Sequence, residues 1–214
     1  MQEKTRIILC GMMGPPDVIA AAELGADYAG FILTEGFRRT VNSGTFRELC
    51  SYLYGSTVRK AGVFVDEPIG NIMENYAEML DVIQLHGKED DLYIRKLREY
   101  TDKPIIKAFK IASEEDVQRA AESTADLVLL DSGTGTGKTF DHSLIGKIGR
   151  PYFLAGGLTT DNVADAVSTL HPFAVDASSG LETYGKKDKD KMTAFVRAVR
   201  NADINRLSGD KGQS

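Results

Sequence analysis

Eight short apolar runs recur along the 214-residue chain, each followed by a segment with helical features, and this alternation restricts the fold more than any other feature. The runs are rich in Val, Ile, Leu and Phe and are continuous, which is typical of strands buried on both faces of a parallel sheet. The predicted strands are Arg6–Cys10, Tyr28–Leu33, Lys60–Val65, Val82–His86, Pro104–Phe109, Leu127–Asp131, Tyr152–Ala155 and Ala174–Asp176.

The segments between these runs carry signals for the start and the end of helices. Pro15-Pro16-Asp17 precedes a helix predicted over Val18–Leu24, and Gly25 ends it, because Pro suits the first turn and Gly the end of a helix. Ser113, followed by three acidic residues, starts another helix, and Thr160-Asp161-Asn162 starts a third. Eight strands and about eight helices, at roughly 25 residues per unit, predict an α/β fold with a single (β/α)8 TIM barrel.

This barrel is expected to span residues 1–202 as one domain. A doubly wound open sheet is the competing architecture, but it usually has fewer strands at this length. No linker or change of composition marks a second domain. The polar residues 203–214 are expected to form a disordered tail.

Charge and composition limit the partners that the chain can have. The net charge is −5 and no basic stripe is present, so nucleic acid is not an expected partner. No apolar run approaches the roughly 18 residues that span a bilayer, and the first six residues lack the apolar core of a secretory signal. Cys10, Cys50 and the three histidines show no metal-ligand spacing. We therefore expect a cytoplasmic chain with no membrane partner and no metal.

Barrel active sites lie where strands end and the following loops begin. The predicted strand ends carry Cys10, His86, Lys107, Asp131 and Asp176, which supply a thiol, a base, a cation and two acids. An inert scaffold has no need of this set. We therefore expect His86, Lys107 and Asp176 to line an active site together with Cys10 and Asp131.

Two glycine-rich stretches follow the last two predicted strands. Glycine lets backbone N–H groups approach a phosphate, and the loops after strands seven and eight are the usual phosphate site of a barrel. Tight turns are the alternative interpretation of each stretch taken alone. The residues predicted to bind the phosphate of a small-molecule substrate are Gly156, Gly157, Ser178, Ser179 and Gly180.

A third glycine-rich stretch, residues 132–139, resembles a nucleotide-binding P-loop but departs from it. That motif needs a glycine five residues before its Gly-Lys pair, and Ser132 stands at that position. The helix predicted after it, Asp141–Gly146, is also short. A loop over the barrel mouth is the preferred interpretation.

Seven segments, in collinear order from about residue 6 to residue 200, together resemble phosphoribosylanthranilate isomerase of tryptophan biosynthesis. Each motif is weak by itself, but the ordered set is highly specific. The segments are Ile8–Gly11, Arg38–Val41, Gln84–Gly87, Lys107–Phe109, Gly135–Asp141, Ala155–Leu158 and Val175–Gly180.

The resemblance implies an aldose–ketose isomerase that uses neither metal nor cofactor. That family converts N-(5-phosphoribosyl)anthranilate into a carboxyphenylamino-deoxyribulose phosphate by an Amadori rearrangement. By the resemblance, Asp131 is the general acid that opens the sugar ring, Cys10 is the general base that removes the C2 proton, and Arg39 meets the anthranilate carboxylate. The chain is expected to act on this phosphorylated substrate as a monomer or a homodimer.

The acid–base pair is also coherent on physical grounds. Partial drying of the barrel mouth raises the pKa of a carboxylic acid, as a general acid such as Asp131 requires, and a thiolate serves as a base if its pKa is lowered. Each residue has a plainer interpretation as well. Cys10 can be a small buried hydrophobe, Asp131 a turn cap and Arg39 a solvated loop charge.

Four positions depart from the family pattern. Phe37 replaces a small polar residue, Thr40 a tyrosine and His142 a tryptophan, and these changes put the shape of the aromatic pocket in doubt. Ile8 stands where the family usually has lysine, two residues before Cys10 and so on the same strand face.

Three other functions compete with the isomerase. An aminoaldose isomerase of histidine biosynthesis has similar phosphate loops but uses an aspartate on strand one, where this chain has Cys10. An epimerase of the ribulose-phosphate type needs metal-ligating residues at several strand ends. A non-catalytic barrel that binds a sugar phosphate is favoured by Ile8 but has no need of Cys10 and Asp131.

The loss of the cation at position 8 predicts that the Cys10 thiol has a higher pKa than it has in a relative with lysine there, unless Lys107 compensates from strand five. The measurement is the rate of Cys10 alkylation against pH. A midpoint well below the free-thiol value of about 8.5 would refute this prediction.

Overall fold

The computed structural model describes residues 4–133, 142–145 and 148–209. Within these residues, eight parallel strands close into a barrel in which each strand pairs with the next and the last pairs with the first. The predicted (β/α)8 barrel is confirmed, and each predicted strand agrees with the observed one to within a residue at either end. The strands are β1 Arg6–Cys10, β2 Tyr28–Ile32, β3 Arg59–Phe64, β4 Val82–Leu85, β5 Ile105–Lys110, β6 Leu127–Asp131, β7 Tyr152–Ala155 and β8 Ala174–Ala177.

Helices cover the outside of the barrel. No helix of the described ranges is both long and apolar enough to cross a membrane. Residues 134–141, which contain most of the P-loop-like stretch and the loop expected over the barrel mouth, lie outside the described residues. The helices are α1 Pro15–Glu23, α2 Ser43–Ser51, α3 Ile69–Asn75, α4 Asp91–Arg98, α5 Glu114–Glu122, α6 His142–Ile145, α7 Val163–Leu170 and α8 Lys189–Gly209.

The predicted helix starts are found at two of the expected places and slightly early at the third. Ser113 begins a capping box in which its hydroxyl accepts from the Asp116 N–H, and the Asp116 carboxylate accepts from the Ser113 N–H. Helix α7 begins directly after Asn162. Helix α1 begins at Pro15, three residues before the predicted start, because both prolines fit the first turn of a helix.

A short antiparallel hairpin follows β8. It is formed by β9 (Glu182–Thr183) and β10 (Lys186–Lys187), which place Lys187 opposite Glu182. A single turn of 3-10 helix, Ser179–Leu181, joins β8 to this hairpin. The hairpin therefore lies close to the carboxyl end of β8, where barrel chemistry is found.

The sheet has two apolar faces, one toward the barrel axis and one toward the helices. Side chains alternate between the faces along each strand. The outward face packs with the helices into a large core that includes Phe31, Phe46 and Phe64. The inner face is filled by a separate cluster: Ile8, Cys10, Tyr28, Ala61, Val63, Val82, Ile106, Ala108, Leu129, Phe153, Ala155 and Ala174.

The expectation of a disordered tail from residue 203 is wrong for residues 203–209, which continue α8. Asp203 is 2% exposed and accepts hydrogen bonds from the Thr5 N–H at 3.0 Å and the Thr5 hydroxyl at 2.8 Å. It also pairs with Arg206 at 3.3 Å. The polar residues of this turn thus tie α8 to the start of β1, while residues 210–214 lie outside the described ranges.

The substitution Asp203→Ala is expected to lower the free energy of unfolding by about 3 kcal/mol, because it leaves the buried donors of Thr5 without their acceptor and removes the ion pair with Arg206. Urea unfolding measures the change. Asn205→Ala, an exposed change on the same turn, is the control and should alter stability by less than about 0.5 kcal/mol. Equal effects of the two changes would contradict a structural role for Asp203.

Candidate active site

One cavity of about 440 Å³ opens at the carboxyl ends of the strands. Ten of the eleven residues that the sequence predicts for the site line it, and the eleventh, Lys107, does not. The cavity volume lies in the range typical of small-molecule sites. The predicted residues that line it are Cys10, Arg39, His86, Asp131, Gly156, Gly157, Asp176, Ser178, Ser179 and Gly180.

Strand periodicity explains which side chains reach the cavity. Residues two apart share a face, so Gln84 and His86 continue the inner face of β4, Asp131 that of β6, and Asp176 and Ser178 that of β8. Cys10 comes from β1, and two strands, β7 and β8, lie between β1 and β6 around the barrel. Barrel closure therefore brings the thiol and the carboxylate to one cavity from distant parts of the chain.

Lys107 is a correction to the sequence prediction. Its neighbours Ile106 and Ala108 belong to the inner cluster. Because adjacent residues of a strand lie on opposite faces, Lys107 lies on the outer face of β5. Its ammonium is buried in an ion pair with Glu89 at 2.9 Å and donates to the Gly87 carbonyl at 2.7 Å. The prediction considered the position at a strand end and not the alternation of faces. Lys107 therefore does not compensate for the lysine missing at position 8.

The Cys10 thiol is 6% exposed at the floor of the cavity. Burial raises the pKa of this thiol, the negative charge of Asp176 raises it further, and the cations Lys187 and Arg39 act in the opposite direction. Glycine at position 30 leaves room for the thiol, because a Cβ there would lie 2.8 Å from Cys10 Sγ. The comparison of this pKa with that of a lysine-bearing relative stays a prediction.

Asp131 belongs to a chain of hydrogen bonds. Gln84 Nε2 donates to His86 Nδ1 at 3.2 Å, which leaves the ring hydrogen on Nε2, 3.3 Å from Asp131 Oδ2. The Gly133 N–H donates to the other oxygen at 2.7 Å. Burial acts to raise the pKa of Asp131, but the hydrogen bonds from His86 and Gly133 and nearby positive charge outweigh it and hold the pKa below its ordinary value. The expectation of a raised pKa is therefore wrong.

Asp176 is the more deeply buried carboxyl group of the cavity. Burial is the main influence on its pKa and raises it to about 6, although His86 and a hydrogen bond from Gln84 act to lower it. Asp176 lines the same cavity as Cys10, His86 and Asp131, and its charge interacts with all three. Asp176 was identified from the sequence but Gln84 was not. Gln84 could have been found because it is a polar residue at an inward-facing position of a buried strand.

The two glycine-rich stretches line the same cavity beside Asp131 and Asp176. Gly156 has a φ of +91°, and a Cβ there would lie 2.5 Å from Asp131 Oδ1. The Ser132 hydroxyl donates to the Gly156 carbonyl at 2.8 Å and fixes this turn next to the acid. Glycine is therefore required at position 156 both by the backbone conformation and by the approach of the Asp131 carboxylate.

Arg39 lies at the rim of the cavity and is held there by a residue that the sequence did not reveal. Its Nε donates to Glu182 Oε1 at 2.5 Å. Arg38 binds the second oxygen of the same carboxylate at 2.5 Å, and Lys187 approaches Oε1 at 3.4 Å. Glu182 and Lys187 lie in the hairpin after β8, where no motif marked them.

The departures near the mouth have different structural settings. Phe37 lines the cavity and is 46% exposed, so it presents an aromatic face to any ligand at the rim. The Thr40 hydroxyl donates to the Thr34 carbonyl at 2.6 Å and shapes this loop. Ile8 is fully buried in the inner cluster below Cys10. The His142 side chain lies outside the described part of the structure.

These features define an enzyme of the (β/α)8-barrel class whose acid–base groups stand at the carboxyl ends of its strands. A family model described as "N-(5'phosphoribosyl)anthranilate (PRA) isomerase" matches residues 7–198. The chain belongs to this family, as the sequence motifs predicted.

Individual relatives agree with this assignment. An N-(5'-phosphoribosyl)anthranilate isomerase of Endomicrobium trichonymphae is 39% identical over 203 residues, which cover 92% of this chain and 98% of that one. The phosphoribosyl anthranilate isomerase structure from Thermotoga maritima is 35% identical, with a TM-score of 0.85 and coverage of 92% and 99%. A structure in complex with reduced 1-(o-carboxyphenylamino)-1-deoxyribulose 5-phosphate is 34% identical, with a TM-score of 0.82 and the same coverage.

The substitution Asp176→Asn is expected to stabilise the protein at pH 8 by about 2 kcal/mol. Because the folded-state pKa of Asp176 is raised to about 6, its ionisation destabilises the native state increasingly as the pH rises from about 4 to 6, and fully above 6. Urea unfolding at pH 8 and pH 4 measures the difference, which should vanish at pH 4. The exposed Asp161→Asn is the control. A gain that is the same at both pH values would contradict the assigned pKa.

Proposed function

We propose that this chain isomerises N-(5'-phosphoribosyl)anthranilate to 1-(2-carboxyphenylamino)-1-deoxyribulose 5-phosphate with Asp131 as general acid and Cys10 as general base. As a member of its family the chain is an aldose–ketose isomerase of tryptophan biosynthesis. The observation that carries the two assignments is the convergence of Cys10 and Asp131 on one cavity, from strands that two others separate.

The first step opens the sugar ring. Asp131 gives its proton to the ring oxygen of the ribose, the bond between C1 and that oxygen breaks, and the nitrogen lone pair forms a C1=N bond. The product is a protonated open-chain Schiff base, an iminium ion that keeps its N–H, with a free hydroxyl at C4. His86 supports this step, because its Nε2–H lies 3.3 Å from Asp131 Oδ2 and stabilises the carboxylate that remains.

The second step moves the double bond. The Cys10 thiolate removes the proton from C2, and the electrons of that C–H bond form C1=C2 while the C=N electrons return to nitrogen. The resulting enolamine loses its C2 hydroxyl proton and gains a proton at C1, which gives the ketone. No atom is gained or lost, so the reaction is an isomerisation that needs only an acid and a base on different sides of the substrate.

In the free protein, Cys10 and Asp131 are mainly in the ionisation states opposite to those that the proposed reaction needs. The pKa of Cys10 is raised and that of Asp131 is lowered, so at neutral pH the thiol is mostly protonated and the carboxyl mostly ionised. Between the two pKa values, the thiolate fraction rises with pH as fast as the protonated acid falls. The fraction of molecules with both groups in the required state is therefore small but independent of pH across this range.

Residues around Cys10 and Asp131 match the phosphate end and the anthranilate end of the substrate. Gly156, Gly157 and residues 178–180 bind the phosphate through backbone N–H groups and serine hydroxyls. Arg39 binds the anthranilate carboxylate with its terminal nitrogens, because Nε is already used by Glu182. Phe37 covers the aromatic ring from the rim. The cavity volume of about 440 Å³ is compatible with a ligand of this size.

The setting of the thiol supports a reducing, cytoplasmic location. Cys10 and Cys50 are both free thiols, and oxidation of Cys10 would remove the base. Every side chain assigned to the chemistry comes from a single chain, so the chain acts as a monomer or as a homodimer of complete sites.

The substitution Cys10→Ser is expected to lower kcat by at least about 100-fold, because a serine hydroxyl is a far weaker base than a thiolate. Phosphoribosylanthranilate is generated in situ, and loss of its anthranilate fluorescence is followed with the purified protein. Cys50→Ser, a change of the other free thiol, is the matched control and should retain the parent rate. Near-parent turnover by Cys10→Ser would overturn the assigned base, and absence of turnover in the parent would leave a barrel that only binds the ligand.

A further inference from the structure

Lys187 is a buried cation that the acid–base pair does not use. Its side chain is 3% exposed, although lysine is almost never fully buried without a function or a full partner. The ammonium donates to the Ser178 carbonyl at 2.9 Å and lies 3.4 Å from Glu182 Oε1. The hairpin of β9 and β10 places it there, opposite Glu182 in the ladder.

The charge of Lys187 is only partly balanced. Among the residues that the structure describes, Glu182 is the carboxylate that it contacts, and both oxygens of Glu182 already bind arginines at 2.5 Å. Three cations thus share one negative charge in a cluster of which Glu182 and Lys187 are almost fully buried. Such an excess of positive charge favours a further anion nearby.

The anion that the chain itself offers is the thiolate of Cys10. The Ser178 hydroxyl donates to the Cys10 carbonyl at 3.1 Å, while the Ser178 carbonyl accepts from Lys187. Gly11, the next residue, packs against the same serine and against Arg39, since a Cβ there would lie 2.9 Å from Ser178 Oγ. One residue of the β8 loop therefore joins Lys187 to the end of β1.

We propose that Lys187, held by Glu182 and the Ser178 carbonyl, is a positioning residue that stabilises the thiolate of Cys10. Lys187 supplies a positive charge near Cys10 from the β9–β10 hairpin. Ile8 on β1 carries no charge, and Lys107 on β5 is directed away from the cavity. The proposal rests on the proposed function only in taking Cys10 as the base.

The charges around Cys10 support this role. Asp176 faces the thiol from β8 and raises its pKa, whereas Lys187 from β10 and Arg39 from the loop after β2 lower it, Lys187 more than Arg39. The influence is mutual. Burial lowers the pKa of Lys187, and the Cys10 thiolate is the charge that opposes this most, ahead of Glu182.

The test measures the thiol directly, with iodoacetamide, a neutral reagent, in a Cys50→Ser background. Lys187→Met keeps the length of the side chain and removes its charge. It should slow the alkylation of Cys10 at pH 8 by about tenfold or more, which corresponds to a rise of about one unit in the pKa. Lys187→Arg should stay close to the parent rate, and Lys186→Met, an exposed change in the same strand, should not alter it.

A second variant is expected to change the alkylation rate of Cys10 in the opposite direction. Glu182→Gln removes the negative charge beside Lys187, so it should speed the alkylation of Cys10 at pH 8, and it serves alone if Lys187→Met does not fold. An unchanged alkylation rate in Lys187→Met, or a slower rate in Glu182→Gln, overturns the proposal. Weaker binding of inorganic phosphate by Lys187→Met with normal alkylation also overturns it and assigns Lys187 to the phosphate.

Failure of this proposal and failure of the proposed function are distinguishable. The alkylation rates report the state of the thiol whether or not the protein turns over its substrate. Retained turnover in Cys10→Ser would remove Cys10 from the reaction and leave the effect of Lys187 on the thiol as measured.

Discussion

The pairing of the first strand with the eighth is the interaction on which the site depends. Its register sets Ile8 beside Asp176 and Leu9 beside Ala177, so the end of β1 meets the loop after β8. Cys10 thereby comes next to Ser178, although 168 residues separate them. Asp203 secures the other end of the same strand through Thr5. Opening this seam would separate Cys10 from Asp131, from Lys187 and from the two glycine-rich loops in a single event.

The closed barrel also explains why the site can hold so many charges at modest exposure. Asp176 and Lys187 are each nearly buried, and neither is fully balanced by a single partner. Burial of a charge without a full partner costs free energy, and the surrounding apolar layers of the barrel offset that cost. The same burial strengthens each electrostatic interaction in the cavity. Stability is therefore reduced locally where the chemistry requires fixed charge, as is common at functional sites.

The sequence predicts the strands and most of the residues that line the cavity well, because both follow local rules. Continuous apolar runs mark the strands, and polar residues at their ends mark Cys10, Asp131 and Asp176. Lys107 was misplaced because its face depends on the phase of β5, which the end position alone does not give. Glu182 and Lys187 were missed because their roles arise from tertiary contacts of a short hairpin. The pKa of Asp131 was predicted with the wrong sign because its hydrogen bonds to His86 and Gly133 exist only in the fold.

In the proposed reaction Asp131 and Cys10 act in successive steps: the acid forms the open-chain Schiff base and the base consumes it. Borohydride reduces the C=N bond of that intermediate to a stable amine, so the amount trapped during turnover reports it directly. We expect Cys10→Ser to accumulate the trapped amine and Asp131→Asn to form little of it. Equal amounts of trapped amine in the two variants would contradict a division of labour between the two residues.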